Sequence, residues 1–175
     1  DAKNVRMNVI GINNGNTGLI VDSTLKLTTG QLQLSNEKVV INNPNQNAIQ
    51  RTTGFIQSQQ TNNYNKVQWN IGNNTGPHTI PFGIAINYLP LTFNLVSGSF
   101  GNITASTYYT NAANTPLPVT PEAVTNLCFP SSTNNSSQMV DRYWQLNGTI
   151  PGGGVANIEF VYGANELPPG VNDTD

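Results

Sequence analysis

His78 is the only histidine of this 175-residue chain and Cys128 its only cysteine, and between them they bound the nucleophilic chemistry on offer. A Ser–His or Cys–His pair needs nucleophile, base and orienting acid within hydrogen-bond reach of one another. Residues 67–121, which include His78, hold no Asp, Glu, Lys or Arg, so no orienting acid lies near it along the chain. With Pro77 beside it and Pro81 close by, His78 reads as a loop histidine, or as one satisfied by a partner in a turn. Cys128 reads as a small buried hydrophobe, since a lone cysteine forms no intramolecular disulfide.

Carboxylate chemistry is equally thin. Nine acids are scattered from Asp1 to Asp175, whereas glycoside hydrolysis needs two carboxyl groups flanking one bond. Asp141 and Glu159 are the pair that neighbouring strands would bring together, although Asp141 beside Arg142 reads more simply as a structural ion pair or a strand-edge charge. Zinc requires clustered His and Cys ligands, which one of each at unrelated places does not provide. Calcium takes oxygen ligands, and the run from Asn172 to Asp175 offers only a weak set, more simply read as a disordered terminus. The expectation is a non-enzymatic protein with no catalytic residue, metal or cofactor.

Recognition chemistry leaves more. Sugar rings stack on exposed aromatic faces, but Trp69 alternates with Val67 and Ile71, and Trp144 with Leu146, which places both indoles on apolar strand faces. Tyr108 and Tyr109 are adjacent, so they point to opposite faces of a strand; they are the candidate glycan contacts, one of them exposed. Nucleic acid is disfavoured by 7 Lys and Arg against 9 acids and a net charge of −2, because affinity for phosphates rests on clustered cations. Membrane insertion is not expected either: a spanning helix needs roughly 20 apolar residues, and Asn, Thr, Ser and Gly interrupt every apolar run. The polar surface is built from 28 Asn, 10 Gln, 10 Ser and 19 Thr.

The elements that would position these side chains are strands, since apolar residues recur with period two almost throughout. Val5, Met7 and Val9 alternate with Asn4, Arg6 and Asn8. Leu25 and Leu27, Leu32 and Leu34, then Val39 and Ile41 follow in short runs punctuated by Gly, Ser-Asn or Asn-Asn. Residues 18–43 therefore read as about three short strands in a solenoid-like rung or tight meander, with no strict repeat after it. Longer strands are expected over 55–59, 66–71, 89–96, 103–109, 139–146 and 155–162, a set suited to a sandwich. Thr120-Pro121-Glu122 carries helix-start chemistry and predicts one short helix ending near Leu127. Residues 131–138 read as a polar loop, and Gly152-Gly153-Gly154 as a hairpin connection. The fold expected is all-β: an antiparallel β-sandwich-like domain over 51–167, a solenoid-like or meander segment over 1–50 packed on it, and a tail over 168–175. With no Met before Asp1 and no apolar leader, the chain reads as a mature or excised segment.

Five motifs then occur in one order: Thr24-Leu25-Lys26-Leu27-Thr28-Thr29-Gly30-Gln31-Leu32, Arg51-Thr52-Thr53-Gly54-Phe55-Ile56, Trp69-Asn70-Ile71-Gly72, Ile80-Pro81-Phe82-Gly83 and Val140-Asp141-Arg142-Tyr143-Trp144. Along most of its length the chain thereby resembles large secreted surface proteins of Bacteroidetes exported by the type IX pathway. The resemblance implies a β-rich module at the cell surface or outside the cell. It also implies a candidate O-glycosylation site at Ser23, within Asp22-Ser23-Thr24, which otherwise reads as an ordinary turn. Six N-x-Ser/Thr sequons begin at Asn73, Asn102, Asn134, Asn135, Asn147 and Asn172, several of them expected by chance in so Asn-rich a chain.

Assembly is the remaining expectation. Edge strands usually avoid pairing through lysines and inward charges, and residues 67–121 lack both. Neutral amide and hydroxyl faces approach one another with little cost of desolvating charge. The segment Val5, Met7, Val9, Ile10 and Ile12 is a candidate assembly strand that adds to a neighbour's sheet, the alternative being a first strand paired within its own domain. The sequence thus points to a structural or adhesive module, self-assembling into a fibre or layer with copies of itself as partner. A carbohydrate-binding module that recognises surface glycans is the alternative.

Overall fold

The computed structural model describes residues 4–6, 17–59, 64–85, 87–120, 122–127, 134–149 and 151–171. Nine short strands come first: β1 (Asn4–Arg6), β2 (Thr17–Val21), β3 (Leu25–Leu27), β4 (Gln31–Gln33), β5 (Lys38–Ile41), β6 (Ile49–Arg51), β7 (Phe55–Gln57), β8 (Lys66–Trp69) and β9 (Gly76–Ile80). From β1 to β8 each pairs in parallel with the strand three elements away, giving ladders β1-β4-β7, β2-β5-β8 and β3-β6. Pairing every third strand means that the chain coils, each turn laying one strand on each of three faces. The expected solenoid-like segment is therefore a true coil, and its stacking does not stop at residue 50. It continues through β7 and β8 to a single parallel bridge between Ile56 and Phe82.

Two corners show why this sequence coils. Residues 25–33 stack on residues 49–57 in one unbroken register, Thr28-Thr29-Gly30 lying over Thr52-Thr53-Gly54. Thr52 N–H donates to Leu27 O (3.0 Å), Thr53 N–H to Thr28 O (2.9 Å), and Thr53 Oγ1 to the same carbonyl (2.9 Å). A Cβ on Gly54 would sit 2.9 Å from Leu27 O, so only glycine lets the two corners approach this closely. The 24-residue repeat is present in the sequence, but its strands are too short and varied for periodicity alone to expose it. At the next corner Asn70 Nδ2 donates to Asn42 Oδ1 (2.8 Å) and Asn42 Nδ2 to Asp22 Oδ1 (2.6 Å). This ladder of side chains runs beside the backbone and gives part of the asparagine content a structural role.

The last coil turn opens into a sandwich built with β10 (Gly83–Ile84), β11 (Asn87–Tyr88), β12 (Leu91–Gly98), β13 (Asn102–Tyr109), β14 (Arg142–Thr149) and β15 (Gly154–Phe160). β8 accepts β13 as an antiparallel neighbour and β9 accepts β12. The result is a five-stranded sheet in the order β14-β13-β8-β5-β2 and a three-stranded sheet in the order β15-β12-β9. One apolar core joins coil and sandwich, from Leu27, Leu32 and Ile56 through Trp69 and Phe82 to Phe93 and Ile103. The all-β expectation holds.

Several local expectations give way. Residues 122–127 form no helix: six or seven residues without an apolar stripe do not offset the cost of helix nucleation, and Val124 N–H instead turns back to Pro118 O (2.8 Å). The glycines at 152–154 do not close a hairpin, because β14 and β15 belong to different sheets. They cross between the sheets, beside the parallel crossing at Gly98, where Ser99 N–H donates to Gly153 O (3.1 Å). The 131–138 loop contains a 3-10 turn at Ser136–Gln138. Strand β9 was not expected; it is an outer strand of the three-stranded sheet, where Pro77 is tolerated. β10 and β11 were not expected either. Of the tail, Pro168 is buried, while 172–175 lie outside the described residues.

Candidate functional site

His78 lies in β9 rather than in a loop, and its side chain is fully buried. Nδ1 is 3.0 Å from Gly76 O, Nε2 is 3.1 Å from Pro44 O, and the ring stands edge-on to Trp69 at 5.0 Å. Its contacts are carbonyls and an indole, so the geometry supplies neither nucleophile nor orienting acid. Trp69 is itself buried and donates Nε1–H to Asn43 O (2.8 Å). Cys128 lies outside the described residues.

The acids fall differently from expectation. Glu159 is on β15, opposite Thr92 of β12, so Asp141 and Glu159 are not cross-strand neighbours. Nor does Asp141 pair with Arg142. Arg142 forms a bidentate ion pair with Glu166, Nε to Oε2 at 2.8 Å and Nη2 to Oε1 at 2.5 Å, and its Nη1 donates to Thr107 Oγ1 (3.0 Å). Gly163 N–H adds a third donor to Glu166 (3.0 Å). The fork geometry of guanidinium on carboxylate makes this pair directional as well as strong. It ties the 3-10 turn at Ala164–Glu166 to the start of β14.

Beside this pair lies a cleft of about 470 Å³, lined by Gln57, Ile84, Ala85, Tyr109, Thr110, Asp141, Asn165 and Glu166. Asp141 is held there through its backbone, N–H to Glu166 O (2.7 Å) and O from Thr110 N–H (2.9 Å). Burial, with the Glu166 charge second, raises its carboxyl pKa above the ordinary aspartate value. Alternation along β13 sets the fates of the two tyrosines. Tyr108, 2% exposed, turns to the sheet face covered by residues 111–120 and donates its hydroxyl to Pro116 O (3.0 Å). Burial, and next the neighbouring Tyr143, push its phenol pKa up to about 12. It is closed to a glycan, which corrects one of the two candidate contacts. Tyr109 is 59% exposed at the rim of the cleft.

A second, apolar cleft of about 420 Å³ opens between the edge strands β14 and β15, with Phe93, Phe100, Ile103, Leu146, Ala156 and Ile158 in its lining. Trp144, on β14, is half-buried with its ring 5.3 Å from Phe160, so it is less enclosed than the sequence pattern implies. β15 leaves Val155, Ile158 and Phe160 largely exposed.

Ser23 is exposed in the turn after β2, where its carbonyl accepts from Asn43 Nδ2 (2.7 Å) and Asp22 takes the end of the amide ladder. Of the candidate assembly strand, Val5 lies in β1 and its backbone is in parallel register with Leu32 of β4. That portion is a strand paired within its own domain. Met7, Val9, Ile10 and Ile12 lie outside the described residues. No helix among the described residues is long and apolar enough to cross a membrane, and they contain no cluster of three or more His, Cys, Asp or Glu suited to a metal. No protein-family model, curated protein or solved structure matches the chain.

Proposed function

We propose that the chain is a non-catalytic structural or adhesive module that works outside the cell or at its surface and joins copies of itself edge to edge through the five-stranded sheet. The observation that carries this reading is that β2 and β14 are the two outer strands of one sheet, and neither presents an unpaired charge. β2 is Thr-Gly-Leu-Ile-Val, with Ile20 57% exposed. The one charge in β14, Arg142, is buried in its ion pair. Protein edges ordinarily carry lysine, proline or a covering element against such pairing.

The partner that fits is a second copy. In β2, Leu19 and Val21 pack against the core; in β14, Trp144 and Leu146 do the same. Placing β2 of one copy along β14 of the next continues both the hydrogen-bond ladder and the apolar row beneath it. Because the two edges differ, the contact is head-to-tail and does not close on itself, which produces a filament rather than a dimer. The same reading places the chain among secreted surface proteins of Bacteroidetes, on the five motifs above.

Electron microscopy of the purified protein tests this. Regular filaments that persist in high salt are expected, because the contact is backbone and apolar rather than ionic. Monodisperse monomers at every concentration and salt level would overturn the proposal.

A further inference from the structure

The polar cleft lies at the end of β13 and just before the start of β14. We propose that it binds a neutral saccharide, with the Tyr109 ring as stacking platform and Asp141, Thr110, Gln57 and Asn165 as hydrogen-bonding groups. This rests on the cleft's own geometry and stands whether or not copies assemble.

Four observations converge. Thr110 is 7% exposed and lines the cleft, yet its hydroxyl is buried with no hydrogen-bond partner among the described residues. A buried unpaired hydroxyl costs about 1–3 kcal/mol, a cost that a ligand hydroxyl removes. Among the described residues the Asp141 carboxylate receives one long bond, from Asn114 Nδ2 at 3.4 Å, and so keeps its capacity to accept hydrogen bonds. Asn165 uses its Oδ1 to accept from Asn87 (2.6 Å), which leaves its amide N–H groups as donors. Tyr109 offers an exposed aromatic face at the rim, beside the apolar walls of Ile84 and Ala85.

The electrostatics select among ligand classes. An anion is disfavoured, because the nearby cation, Arg142, is consumed by Glu166 while Asp141 adds negative charge. A divalent cation is disfavoured because the same guanidinium lies beside the second carboxylate and neutralises it. A ligand that is uncharged, rich in hydroxyl groups and apolar on one face matches donors, acceptors and aromatic together. Those are the properties of a pyranose ring. The cleft volume falls within the range of small-molecule sites, about 300–1,000 Å³.

Affinity electrophoresis through gels containing mannan, laminarin, galactan or arabinoxylan tests the proposal. At least one polysaccharide should retard the wild-type protein, and equally the Ile20→Lys variant, whose altered edge lies outside the cleft. Tyr109→Ala should weaken that retardation at least tenfold, with Tyr109→Phe retaining it, and Thr110→Val should weaken it severalfold. Tyr109 is exposed, so an unchanged melting temperature confirms that its variants are folded. Retardation by none of the four polysaccharides, or equal retardation of wild type and Tyr109→Ala, would overturn the assignment. Retardation of the monomeric edge variant would uphold it even if filaments fail to form.

Discussion

Arg142 and Glu166 are both enclosed, with side chains 0% and 4% exposed, and removing one would leave the other charged and uncompensated. Breaking such a pair costs about 3–5 kcal/mol. Arg142→Gln should therefore lower unfolding stability by about that amount in denaturant titration, whereas a loss under about 1 kcal/mol, as for a surface pair, would contradict the enclosed geometry. Asp141 is perturbed the opposite way from most aspartates, its pKa raised first by burial and then by Glu166. The folded state holds that proton more tightly than the unfolded chain, so the associated stability is complete below the ordinary value of 3.8 and is lost as pH rises through the raised folded value. Relative to Asp141→Asn, the wild-type denaturation midpoint should fall across that window; parallel curves would contradict it. This cluster was only partly legible in the sequence. Tyr109 and Asp141 could be singled out, but Glu166 lies 24 residues from Arg142, and no local spacing connects them.

Strand periodicity revealed the elements better than their partners. Alternation located β3 to β5, β7, β8 and β12 to β15 to within a few residues, most plainly where buried and outward positions alternate, as in β8 and β12, whereas β15 has no buried residue. It could not distinguish parallel from antiparallel pairing, which is decided by corners rather than strands. The Thr-Thr-Gly corners 24 residues apart carried that information, and their register is set by backbone contact at Gly54. Gly54→Ala drives a methyl into Leu27 O and should cost about 1–3 kcal/mol. Equal stability of that variant in urea would mean that the coil turns are not stacked this closely. β9 escaped notice because its inward positions include His78, a polar residue whose burial is offset by two carbonyls on different segments. The expected helix, absent over the described residues 122–127, shows the converse: capping chemistry without a face to bury.

For the whole molecule, the sheet that passes from coil to sandwich gives the chain two unlike ends, β2 and β14, with apolar rows beneath both. Both edge strands lie outside the uncharged run 67–121, which holds β9 to β13 and most of β8; the lack of exposed charge at the two edges is a property of β2 and β14 themselves. Mixing two blocked variants tests head-to-tail joining most directly. Ile20→Lys places a charge on the β2 edge and Asn147→Lys places one on the β14 edge, both at exposed positions. By analytical ultracentrifugation each alone should remain monomeric, and an equimolar mixture should stop at dimers, because one sound β14 edge then meets one sound β2 edge. Filaments from either single variant, or monomers in the mixture and in the wild type alike, would contradict the account.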